Sequence, residues 1–189
     1  MYWILASERT DEYQLRIEGV PPQINQNNWN FNYGNMQTNP IPIIDIPYTM
    51  QSDEIKTDNL VAPGCRGMLI NGTVKKIFDS LKIDNVQYFD ARLIDIQTGN
   101  IDNSYCIANI IGKVACVDMA HSLLQLDDDG RIEFIDKLVL NVQSNNKYGH
   151  IFRLAEFLPI VIISNQLCAE LKSKKITGFK FYTPEDFSL

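Results

Sequence analysis

Three observations on this 189-residue chain predict an α+β fold built on a largely antiparallel sheet. Apolar residues recur at helical spacing over 74–81 and switch to strand periodicity from residue 86. Two long apolar alternations meet at a Thr98-Gly99-Asn100 turn, the pattern of a hairpin. A strand-helix-strand unit around residues 68–89 recurs around 161–182. With 45% apolar and 21% charged residues, and length enough to bury about 70% of the unfolded chain's surface, the sequence needs neither disulfides nor metal to fold. It reads as a single domain, 1–189, with an irregular arm at 19–60 and an α+β core at 61–189.

The first strand is expected over residues 2–5, followed by a charged turn and a second strand over 14–17. Five of the eight prolines then fall between Pro21 and Pro47, and seven asparagines between Asn25 and Asn39. That composition opposes helix throughout. Trp29, Phe31 and Tyr33 alternate with asparagine there, so an extended segment would be aromatic along one side, and packing it inward avoids a costly apolar patch.

Val74, Ile77, Phe78 and Leu81 form one apolar stripe on a helix over 72–82, with Asn71 as its N-cap. The hairpin follows, 86–96 against 101–117. A short helix is expected over 118–126, then the turn Asp127-Asp128-Asp129-Gly130 and an extended segment over 132–142. An offset of 93 carries Asn71 onto Ser164, Phe78 onto Leu171, Ile83 onto Ile176 and Val86 onto Phe179, placing a second helix over 165–175. Asn85 and Gly178, the residue types most tolerant of positive φ, occupy equivalent turn positions.

Seventeen Lys+Arg against 23 Asp+Glu leave a net charge of −6 and a pI near 4.9, which argues against nucleic-acid binding through a basic face and is compatible with a basic partner or with none. The longest wholly apolar stretch, 158–163, is far short of the roughly 20 residues that span a bilayer. Export is not expected either, because Ser7-Glu8-Arg9 follows the opening apolar run directly. Cys65, Cys106, Cys116 and Cys168 are scattered and read as reduced, buried thiols of a cytoplasmic protein. The two histidines, without HExxH or CxxC, offer no metal site, and no phosphate-binding glycine loop or nucleophile elbow is present, so no cofactor is expected. Gln125 to Asp136 fails as a calcium loop, because Gln replaces the first carboxylate and Asp the last, bidentate one.

His150, Phe152 and Arg153 form the densest local signature. On a strand, His150 and Arg153 point to opposite faces, so the pair reads as structural, with Arg153 bridging carboxylates at an element end. Asp127, Asp128 and Asp129 cannot be buried together and therefore face solvent or a cationic partner. With Trp29, Phe31 and Tyr33 as apolar anchors, that turn is the candidate partner-binding surface.

The run Leu69-Ile-Asn-Gly-Thr-Val-Lys-Lys-Ile-Phe78, the strand Val86-Gln-Tyr-Phe89, the segment Gly149-His-Ile-Phe-Arg-Leu154 and the ending Ile162-Ile-Ser through Ile176-Thr-Gly-Phe179 resemble immunity protein family 11 of bacterial polymorphic toxin systems. The likeness covers roughly residues 60–185. It implies a cytoplasmic α+β protein that binds and blocks a toxin encoded beside it, with no catalytic residues to carry over. On the residues alone, an enzyme using His150 and Arg153 with distant carboxylates, or a protein-interaction adaptor, stays open.

Overall fold

The computed structural model describes residues 1–8, 12–142 and 148–189. In chain order its strands and α-helices are β1 (Tyr2–Ser7), α1 (Pro22–Asn27), β2 (Ile44–Tyr48), β3 (Asn59–Leu60), β4 (Met68–Asn71), α2 (Gly72–Ser80), β5 (Val86–Asp95) and β6 (Ile101–Asp102). There follow β7 (Tyr105–Ile110), β8 (Lys113–Val114), β9 (Leu123–Leu126), β10 (Ile132–Lys137), β11 (Ile151–Leu154), β12 (Val161–Ser164), α3 (Asn165–Ser173) and β13 (Phe179–Tyr182). One sheet runs β13-β1-β12-β11-β8, a second runs β2-β5-β7-β4-β3 with β6 beside β5, and β9 pairs with β10 as a separate ribbon. Among the named strands of the described residues, only β2–β5 and β8–β11 pair in parallel, so the α+β, largely antiparallel expectation is what the chain adopts.

Both expected helices form, for the expected local reasons. The Asn71 side chain accepts from the Thr73 and Val74 amides, at 2.9 and 3.3 Å, and Ser164 Oγ accepts from the Leu167 amide at 3.2 Å. Each cap thereby satisfies amides that the first turn leaves unpaired. The two helices pack against each other. Val74, Ile77 and Phe78 of α2 and Leu167, Cys168 and Leu171 of α3 bury into one apolar cluster, which also takes residues from both large sheets. Burying a side chain of Leu or Phe size contributes about 1.5–3 kcal/mol, so this shared cluster is the main joint between the two halves.

The offset of 93 holds in three dimensions: it carries β4 onto β12, α2 onto α3 and the start of β5 onto β13. It also extends to strands that the sequence comparison did not include. Ala108 of β7 lies between Met68 and Tyr88, and Leu5 of β1 lies between their equivalents Val161 and Phe181. The central strand of the two units thus has the same register, although it comes after the first unit in the chain and before the second.

The turns of the two units dock reciprocally. Asn85 Nδ2 donates to the carbonyls of Ile111 and Ile151, both at 2.8 Å, while Asn59 Nδ2 donates to the Gly178 carbonyl at 2.9 Å. Gly178 takes φ +82° as expected, but Asn85 does not adopt positive φ. The equivalent left-handed pair is Lys82 and Lys175, at φ 55° and 53°, which close the two helices. Helix termination needs that conformation one residue past the cap, so it falls earlier than the turn composition suggested.

Other expectations are corrected. Residues 19–60 are not free of helix: α1 starts with Pro22 and ends on left-handed Asn28, a use of proline at the first turn where its missing N–H costs nothing. β2 also lies in that stretch. Residues 118–126 do not form a helix. Asp118 Oδ1 accepts the Ala120 and His121 amides in a turn, and Leu123–Leu126 pairs with β10, because the Asp127–Gly130 turn returns the chain alongside. The 101–117 strand is broken, with β8 crossing to pair with β11 in the other sheet. Residues 14 and 16 make isolated parallel bridges, to Ile55 and Val61, instead of a strand. The charged turn expected after β1 lies partly outside the described residues.

Candidate functional site

β11 and the residue before it carry the His150, Phe152 and Arg153 signature. His150 Nδ1 lies 2.8 Å from Ser164 Oγ, and the His150 carbonyl accepts the Ser164 amide at 2.8 Å. The imidazole therefore supports the N-cap of α3. Phe152 is buried between the rings of Tyr2 and Tyr148.

Arg153, 1% exposed, is the largest fully buried side chain. Among the described residues no carboxylate meets it, in contrast to the expected bridge. Nη1 donates to the Leu158 carbonyl at 3.0 Å, and Nη2 to Asn32 Oδ1 at 2.9 Å and the Phe31 carbonyl at 3.3 Å. Desolvation lowers its pKa to about 10, so the guanidinium keeps its charge at neutral pH and is solvated by carbonyl dipoles. The arm at 31–32 is tied to the first sheet, through β11, in this way. Nε has no hydrogen-bond partner among the described residues. Arg153 also borders a cavity of about 400 Å³ with largely apolar walls that include Ile4, Leu60, Met68, Val161 and Phe179. His150 and Arg153 serve two different structural contacts and do not converge on one reacting centre.

The aromatic segment is not one face. Phe31 is fully buried, with its ring centroid 4.8 Å from that of Phe89, while Trp29 is half-buried and Tyr33 is 53% exposed. The chain turns at 31–33, which breaks the alternation of an extended segment. Phe31 consequently has no surface to offer a partner.

The acidic turn caps the β9-β10 ribbon. Asp127 Oδ1 accepts the amides of Asp129 and Arg131, at 2.9 and 2.8 Å, and Asp129 pairs loosely with Arg131 at 3.3 Å. Asp127 thus builds the turn, leaving Asp128 and Asp129 as its outward charges. Beside them stand Leu123, Leu126 and Phe134, at 61%, 46% and 47% exposure. The helix expected over 118–126 hid the edge on which Leu123 and Leu126 lie. The signal that could have revealed them was the Asp129-Gly130 step between two apolar runs, a hairpin signature.

Burial raises the thiol pKa of Cys65 and Cys116 to about 12 and that of Cys106 to about 11. All four cysteines are buried and unpaired, as expected. Among the described residues no cluster of three or more His, Cys, Asp or Glu could hold a metal ion, and no helix is long and apolar enough to cross a membrane.

Comparison with curated proteins finds no match. The model of the Immunity protein family (Imm11) matches residues 18–186. That span holds both strand-helix-strand units, the arm that Arg153 anchors and the acidic ribbon. The chain belongs to the Imm11 immunity protein family.

Proposed function

We propose that this chain is a cytoplasmic immunity protein that binds the toxin domain encoded beside it and neutralises it by covering the surface that reaches the toxin's target, with no chemical step of its own. The family match across 18–186 carries this reading, since immunity against a toxin is what the family name describes. The net charge of −6 supports a toxin with a basic surface, because complementary charge speeds encounter and selects the partner. His150 and Arg153 are both engaged in holding structure, which favours occlusion over catalysis. In this reading Asp127, Asp128 and Asp129 face the toxin; Trp29 and Tyr33 retain surface for contact, and Phe31 does not.

Co-expression tests the reading. Bacteria producing the neighbouring toxin domain should stop growing alone and grow when this chain is co-produced. Equal killing with and without the chain would refute it.

A further inference from the structure

Exposed sheet edges present unpaired N–H and C=O groups, and folded proteins blunt them with charge, proline, brevity or cover. Among the described residues, the sheet edges follow that rule with one exception. β2 carries Asp45 and Pro47, β13 carries Lys180, β8 is two residues long with Lys113, and β3 is two residues long and held by the 177–178 turn. β10 contains Glu133, Asp136 and Lys137, and its outer side exchanges hydrogen bonds between Ile135 and Leu189 at 2.8 and 3.3 Å.

β9 is different. Its sequence is Leu-Leu-Gln-Leu, with neither charge nor proline, and among the described residues its only strand partner is β10. Leu123 and Leu126 are exposed at its two ends, and Phe134 is exposed on the paired strand. The cluster beneath the ribbon takes Ile132 and Ile135 and leaves these side chains outside. An apolar open edge of this kind is an aggregation hazard unless a partner covers it.

We propose that β9 is the docking edge for the cognate toxin, which adds an extended segment to it as a third strand. The inference rests on the immunity reading above and names the surface that performs it. Charge selects the occupant: Asp127, Asp128 and Asp129 adjoin the end of β9, and Glu133 and Asp136 lie on the neighbouring strand, so the added segment carries Lys or Arg near the turn. A second copy of this chain would bring the same acidic turn and another net charge of −6, which opposes self-pairing. Main-chain hydrogen bonds would supply affinity, and Leu123 and Phe134, on the face turned away from Ile132 and Ile135, would receive alternate side chains of the incoming strand, with Leu126 at the end of the edge.

Amide hydrogen exchange of the full chain, alone and in complex with the neighbouring toxin domain, decides the matter. Slowed exchange at residues 123–126 in the complex supports the proposal, as does a loss of affinity of about tenfold or more in the double variant Leu123→Lys, Leu126→Lys, whose sites are exposed. If the toxin binds but β9 exchange is unchanged, the docking surface is elsewhere while the immunity reading stands. If the toxin does not bind at all, both fall. Protection of β9 that grows with the concentration of the chain alone identifies a second copy as the occupant and overturns the proposal.

Discussion

Arg153 brings a full charge into the interior with no carboxylate of the described residues against it, and three oxygens take that role, one from Leu158 nearby in the chain and two from the distant arm at 31–32. Arg153→Ala would leave the Leu158 and Phe31 carbonyls and Asn32 Oδ1 without their donor. Hydrogen bonds to charged groups are worth about 1.5–3 kcal/mol each, less the relief of a buried charge, so urea unfolding should show a loss of roughly 2–4 kcal/mol. Arg153→Lys should recover only part of it, because an ammonium cannot serve three oxygens in a plane. A variant as stable as the parent would show that the guanidinium is not structural. The buried thiols give a second test at this scale. An unfolded Cys ionises near pH 8.5, whereas Cys65 and Cys116 in the folded chain ionise only at about 12. Folded-state values raised in this way contribute stability that is complete below the unfolded value and lost as pH climbs from there toward the folded one. Native protein at pH 8 should therefore resist thiol alkylation, and its melting temperature should fall as pH rises above about 9. Rapid labelling of all four cysteines in the native state would contradict the burial.

At the scale of elements, the two strand-helix-strand units have the same plan and are joined by their turns. A Cβ on Gly178 would stand 1.9 Å from the Asn59 carbonyl oxygen, at φ +82°. Gly99 has a similar φ of +73° but nothing within 4 Å. Gly99→Ala should cost about 1 kcal/mol through backbone strain alone, whereas Gly178→Ala must also push the 177–178 turn off β3 and should cost several times more in thermal unfolding. Equal effects would mean that the docking of this turn does not matter. Asn71→Ala removes the acceptor of two first-turn amides and should destabilise by roughly 1–2 kcal/mol. Both helices were legible in the sequence because caps and apolar stripes act within about ten residues. The strand at 123–126 was not, because four residues with three leucines fit a helix or a strand equally well until a partner is known.

For the whole molecule, the cluster between the helices draws on both large sheets, so the halves should unfold together. Trp3 reports on the first sheet and Trp29 on the arm. Their fluorescence and the far-ultraviolet circular dichroism are expected to change in one coincident transition in urea. Separate midpoints would show that the sheets unfold as independent units.

Local chemistry written in the chain was enough to specify the α+β class, both capped helices, the first hairpin and the 93-residue correspondence, since each depends on residue type over short separations. Which strands became neighbours was not available from that information. β1 enters the second unit from the far end of the chain, and Arg153 finds two of its three oxygens 121 and 122 residues away. β9 is left open because the return of the chain to Leu189 covers β10 instead. Such pairings depend on how backbone and side chains far apart in sequence compete for the same edge, and that competition is resolved only when the whole chain closes on itself.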